Sequence, residues 1–131
     1  ESYRKAVREL TRTIVLGDDL TVTSQALLRR AYETRAVDGF VLKPNQVGTI
    51  TEAMDAHRFA SEHGMISVPS GRSGGVVDDV VMDFSVGLEV PFQKNGAPRS
   101  GERIEKLNFL MRANAASPDC RLYDIRPLLR F

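Results

Sequence analysis

The chain has 131 residues and a formal net charge of +1, with 18 Lys and Arg against 17 Asp and Glu. An apolar fraction of 42% is ordinary for a globular protein and enough for one core, and the interspersed charge offers no basic run of the kind nucleic acids need. No apolar stretch approaches the roughly 18 residues that read as a membrane span, and no signal peptide is visible.

A single cysteine, Cys120, rules out an internal disulfide and is in keeping with a reducing, cytoplasmic setting. The chain opens at Glu1 directly inside a helical pattern, which reads as a processed or truncated start. In that pattern Tyr3, Ala6, Val7 and Leu10 recur at helical spacing. Thr13 to Leu16 is a short β-rich run that ends at Gly17-Asp18-Asp19. Thr23 or Ser24 can cap a second helix with Leu27, Leu28, Ala31 and Tyr32 on its apolar face. Phe40, Val41 and Leu42 predict a second strand, ending at Lys43-Pro44-Asn45. Thr49 and Glu52 form a capping box, opening a helix that carries Ala53, Met54, Ala56 and Ala60 and stops at Gly64. Met65 to Pro69 is a third strand, followed by the loop Ser70-Gly71-Arg72-Ser73-Gly74-Gly75. A helix burying Val76, Val80, Val81, Phe84 and Leu88 leads to a short fourth strand at Phe92 to Lys94. The last helix carries Ile104, Leu107, Leu110, Met111 and Ala115 on one face. Residues 117–131 read as an irregular tail, and its Arg and large apolar side chains suggest a segment packed on a neighbour.

Strands joined by crossover helices must be parallel, and such a sheet needs cover on both faces. A small doubly wound sheet and part of a (βα)₈ barrel both satisfy this pattern. In parallel barrels the catalytic groups sit at the carboxyl ends of strands. Here the four strand ends hold Asp18 and Asp19, then Lys43 and Asn45, then Ser70, Arg72 and Ser73, then Lys94 and Asn95. Each set alone is ordinary turn chemistry. Four in register favour a site in which carboxylates bind a hard cation and the basic groups hold a phosphorylated anion.

Gly17-Asp18-Asp19-Leu20-Thr21-Val22-Thr23, Leu42-Lys43-Pro44-Asn45-Gln46-Val47-Gly48-Thr49, Arg72-Ser73-Gly74 and Lys94-Asn95-Gly96-Ala97-Pro98 together resemble the enolase family, as do Glu102-Arg103, Lys106, Asn108 and Leu110 to Arg112. The resemblance covers about residues 12 to 113. It implies an α/β fold, the C-terminal half (strands five to eight) of an enolase-type TIM (βα)₈ barrel over residues 1–116. It also implies that Asp18 is a Mg²⁺ ligand, with Asp19 in a supporting role, and that Lys43 is the general base that removes the proton α to the substrate carboxylate. A lysine base working with Mg²⁺ is the established arrangement of the enolase superfamily and comes with the resemblance. Lys94 would be a second active-site lysine that holds the substrate carboxylate, and Arg72 and Ser73 would bind the phosphoryl group.

The implied reaction is that of a Mg²⁺-dependent lyase, of the type that converts 2-phosphoglycerate to phosphoenolpyruvate in glycolysis. The chain departs from the family at three places. Gly71 replaces the active-site histidine of Ser-His-Arg-Ser-Gly, which removes an imidazole and opens space there. Gly74-Gly75-Val76-Val77-Asp78 replaces Gly-Glu-Thr-Glu-Asp, and Arg99-Ser100-Gly101 stands before Glu102-Arg103 in place of the usual Ala-Arg-Ser. These changes bring forward an alternative, a relative of the carboxyphosphonoenolpyruvate synthases of phosphonate natural-product pathways. A third reading is a non-catalytic half-barrel that serves in assembly. The remaining Mg²⁺ carboxylates and the general acid of the family map to no residue here. The expected partners are therefore a phosphorylated small molecule and either the N-terminal half of the enzyme or another copy in a homodimer, with no nucleic acid or membrane. His57 and His63 are spaced wrongly for a metal pair, Cys120 has no base beside it, and Arg121, Arg126 and Arg130 read as a solvated or interface tail.

Overall fold

The computed structural model describes residues 1–117 and 119–128. Its elements in chain order are α1 (Ser2–Glu9), β1 (Leu16–Gly17), α2 (Gln25–Glu33), β2 (Gly39–Leu42), α3 (Pro44–Val47), α4 (Ile50–Glu62), β3 (Ile66–Pro69), α5 (Val81–Gly87) and α6 (Gly101–Ala116). A single 3₁₀ turn follows at Arg126–Leu128. The three strands form a parallel sheet in the order β1-β2-β3, with Leu16 beside Gly39 and Gly39 beside Ile66. The crossovers between them are helical, as parallel pairing demands.

All of β2 is buried because both faces of the sheet are occupied. Phe40 and Leu42 point to the helical layer, where Leu28 and Ala31 of α2 and Ala53, Ala56, Phe59 and Ala60 of α4 close over them. The alanines let α4 approach the sheet closely, and burying Phe40, Leu42 and Leu28 contributes about 1.5–3 kcal/mol each. Val41 and Val68 occupy the opposite face, which in a closed barrel is the interior. Gly39 is required by the close approach of β2 to β3, since a Cβ there would lie 2.2 Å from the Ile66 carbonyl oxygen. At the amino end of α4, Thr49 Oγ1 accepts from the Glu52 amide at 3.2 Å and donates to Glu52 Oε2 at 2.7 Å. Gly64 ends that helical segment with φ +66.

Four expectations are revised. The expected fourth strand is a single parallel bridge between Ser70 and Lys94. Lys94 N donates to Pro69 O at 2.9 Å and Gly71 N donates to Lys94 O at 3.0 Å. The next rung back would need an N–H from Pro69, which proline lacks, so the ladder stops after one step. The helix expected from Val76 begins only at Val81, because Asp78 adopts φ +62 and Asp79 Oδ1 accepts from the Val81 amide at 3.0 Å. Val76 and Val80 are consequently exposed rather than buried. On α6 the buried residue is Lys106, whereas Ile104, Leu107 and Met111 are exposed, since α5 is the main element against this helix. On α2, Leu27 and Tyr32 are exposed, and the buried stripe narrows to Leu28 and Ala31.

Pro118 and residues 129–131, Arg130 among them, lie outside the described residues. Of the tail that is described, Pro127 and Leu128 return to the amino-terminal end of the sheet. There they line a cleft of about 410 Å³ with Val7, Ile14, Val37 and Met65. Among the described residues no helix is long and apolar enough to cross a membrane.

Candidate active site

Strand register brings the predicted polar residues to one end of the sheet. Continuing the β2–β3 pairing one step past Leu42 and Pro69 sets Lys43 level with Ser70, and Ser70 bridges to Lys94. Continuing β1–β2 one step past Gly17 and Phe40 sets Asp18 level with Val41. Side chains alternate along strands, so Asp18 and Lys43 share the face that carries Val41 and Val68, away from the helical layer.

On that face Lys43 Nζ donates to Asp18 Oδ1 at 2.5 Å, across 25 residues of sequence. The lysine side chain is 10% exposed and the aspartate 34%, so the pair sits at the mouth of the sheet, with the ammonium inside and the carboxylate half open. Asp19 points to Gln46, whose Nε2 donates to its Oδ1 at 3.2 Å. Among the described residues there is no group of three His, Cys, Asp or Glu side chains able to hold a metal ion. Mg²⁺ requires near-octahedral oxygen coordination. Asp18 can offer one carboxylate to such a set and not a complete one.

Two threonines build this corner, and sequence reasoning missed their part. After β1 the chain turns sharply, with Val22 at φ 41 and Thr23 at φ 59, conformations that cost energy in β-branched residues. Thr23 is fully buried. Its hydroxyl accepts the Lys43 amide at 2.9 Å and lies 3.4 Å from Val41 O, its better-placed acceptor. It locks the end of β2 where Lys43 begins and does not cap α2. Ser24 holds the cap position there without a side-chain hydrogen bond. Thr21, also buried, turns its hydroxyl back to Gly17 O at 3.2 Å. The available signal was the alternation Thr21-Val22-Thr23 two residues after the acidic pair Asp18-Asp19.

Arg72, Ser73 and Lys94 are exposed at the same end of the sheet, and among the described residues neither Arg72 nor Lys94 forms a salt bridge. The strand register ties Lys94 to Ser70, whereas Arg72 and Ser73 follow in the loop beyond. The space at Gly71 is not simply open. A Cβ at this position would lie 3.0 Å from Lys106 Cε. His57 and His63 sit on the helical side, in α4 and at its C-cap. His57 Nδ1 lies 3.1 Å from Ser67 Oγ, and His63 stacks on Phe59 with ring centroids 4.1 Å apart.

A parallel sheet edge with this Lys–Asp pair at its carboxyl end meets a specific match. The family model described as "Enolase, C-terminal TIM barrel domain" covers residues 1–126. The chain belongs to the enolase C-terminal barrel family. It is 40% identical over 111 residues to the enolase of Sulfolobus acidocaldarius, an overlap of 85% of this chain and 27% of that one. It is 42% identical over 112 residues to the enolase of Aeropyrum pernix, covering 85% and 26%. An enolase of Saccharolobus islandicus is 44% identical over 111 residues, covering 85% and 26%. The chain thus spans about a quarter of the length of the enolases it matches, and its three strands and terminal bridge are an arc of the enolase barrel.

Proposed function

We propose that this chain contributes the general base and the anion-binding edge of an enolase-type lyase. The reaction is proton abstraction α to the carboxylate of a phosphorylated hydroxy acid, of the 2-phosphoglycerate-to-phosphoenolpyruvate type. The observation that carries the reading is the Lys43–Asp18 pair at the carboxyl ends of adjacent parallel strands. The burial of Lys43 supports this role, since it restricts where the amine can go.

In this reading Lys43 takes the proton and must do so as the free amine, so its hydrogen bond to Asp18 opens before the transfer. Lys94 binds the substrate carboxylate, and Arg72 and Ser73 bind the phosphoryl oxygens, the guanidinium in bidentate fashion. Asp18 would be one ligand of a Mg²⁺ ion, which when bound would supply positive charge against the negative charge that develops on the substrate carboxylate. The other metal carboxylates and the general acid come from outside these residues, from the N-terminal part of an enolase-type polypeptide or from another copy of the chain. The apolar side chains left uncovered on α6, and Leu122 at 98% exposed in the tail, support such a neighbour.

The test is a chimera in which this chain replaces the matching segment of the Sulfolobus acidocaldarius enolase. With 2-phosphoglycerate and Mg²⁺ it should form phosphoenolpyruvate. Lys43→Ala should lower the rate about 10²–10⁴-fold, the usual worth of a positioned base. An unaltered rate in Lys43→Ala removes the base assignment. Gly71, which stands where the family has an active-site histidine, supports the second reading, a carboxyphosphonoenolpyruvate synthase-like enzyme. Loss of 2-phosphoglycerate turnover in the chimera, with turnover of a carboxyphosphonate co-substrate, would select it. A chimera that folds but turns over neither substrate would leave the assembly role.

A further inference from the structure

The loop between β3 and α5 departs from the family pattern at Gly71 and Gly75, and both glycines touch one buried ion pair on the far side of the loop. Lys106 comes from α6, is 4% exposed, and donates from Nζ to Asp79 Oδ2 at 2.6 Å and to the Glu102 carbonyl at 3.3 Å. Its stem passes under Gly71, with Cε 3.0 Å from where a Cβ would stand. The carboxylate it binds lies against the other end, with Asp79 Oδ2 3.3 Å from the Cβ position of Gly75. Between these two points the loop turns tightly, and the Gly75 amide donates to Arg72 O at 3.1 Å. The segment carrying Arg72 and Ser73 is therefore held from behind at both flanks. A Cβ at 71 or 75 would press directly on the pair, which would have to give by a few tenths of an ångström. The acidic groups around it are Asp78, Asp83, Glu102 and Glu105, of which Glu102 also pairs with Arg103 and Glu105 with Arg112.

We propose that Lys106, through Asp79, is a positioning residue for the anion-binding loop, packed against that loop at Gly71 and Gly75. This rests on the reading of Arg72 and Ser73 as phosphate ligands. An ammonium buried against a carboxylate resists rearrangement, because separating the two leaves a charge uncompensated. It also holds Arg72 and Ser73 in place without touching the substrate.

The experiment titrates the isotopically labelled full chain with inorganic phosphate and follows the amides of residues 72–74 by NMR. Lys106→Met and Asp79→Asn should each weaken binding about tenfold. Arg72→Ala should weaken it at least as much, and Asp79→Glu, which keeps the carboxylate, should stay within about threefold of the parent. If Arg72→Ala weakens binding but Lys106→Met and Asp79→Asn bind as the parent does, the positioning role is wrong and the phosphate loop stands. If the parent binds no phosphate, or Arg72→Ala leaves binding unchanged, the anion site falls and the positioning role with it. Equal loss in Asp79→Glu and Asp79→Asn would reduce the pair to packing and overturn the proposal. Should Lys106→Met not fold, the Asp79 variants decide by the same criteria.

Discussion

At the scale of single residues, the site depends on groups whose chemistry is ordinary and whose partners are distant in sequence. Lys43 is a lysine after an apolar strand, and only its 2.5 Å contact with Asp18 makes it distinctive. Thr23 is the clearest case of a residue whose importance is invisible locally. A threonine before a helix suggests a cap, yet its hydroxyl closes the end of β2, 20 residues away. Thr23→Val keeps the volume and leaves the buried Lys43 amide without an acceptor. It should cost about 1–3 kcal/mol. Urea unfolding of the two proteins measures this, and an unchanged midpoint would show that water or another acceptor replaces the hydroxyl.

At the scale of elements, α4 shows what patterning reads well. Its capping Thr49, its alanine face and its stop at Gly64 are all local features, and each is found where the sequence put it. The same helix carries a titration that the sequence did not announce. Burial of His57 against Ser67 holds its imidazole below the ordinary value of about 6.5. The folded state therefore keeps this histidine neutral while the unfolded chain takes up a proton as pH falls through about 6.5. Stability contributed by the neutral form is present above that pH and is lost below it, so stability should rise with pH through this window. Thermal melts between pH 5 and 7.5 should show that slope, and His57→Asn should flatten it. An identical slope in the variant would assign the titration elsewhere. The failures at this scale have equally local causes. The fourth strand stops at the missing N–H of Pro69, and α5 starts late because Asp79 takes over the Val81 amide.

At the scale of the whole molecule, protection is graded by how much of each element finds cover. The α2–β2–α4 layer holds the fully buried core side chains Leu28, Phe40, Leu42, Ala53 and Ala56. In contrast α1 buries no residue and α6 buries only Lys106. Amide hydrogen exchange in the isolated chain should accordingly be slowest in β2 and α4 and fastest in α1 and the outer turns of α6. Protection of α6 equal to that of α4 would mean that its apolar face is covered, as self-association would cover it. In the chimera with the enolase remainder, the same face should gain protection.

The sequence by itself determined the alternation of helices and parallel strands, the strand ends at which polar residues collect, and the membership in the enolase family. Those signals repeat within a few residues or lie in contiguous motifs, and they need no knowledge of what packs against what. Only the tertiary structure decided that Asp18 and Lys43 meet, that Thr23 secures the strand between them, and that Lys106 fills the space beneath Gly71. Each of these joins residues 20 to 35 positions apart across the sheet or between layers. Register and burial set such contacts, and no local period encodes them.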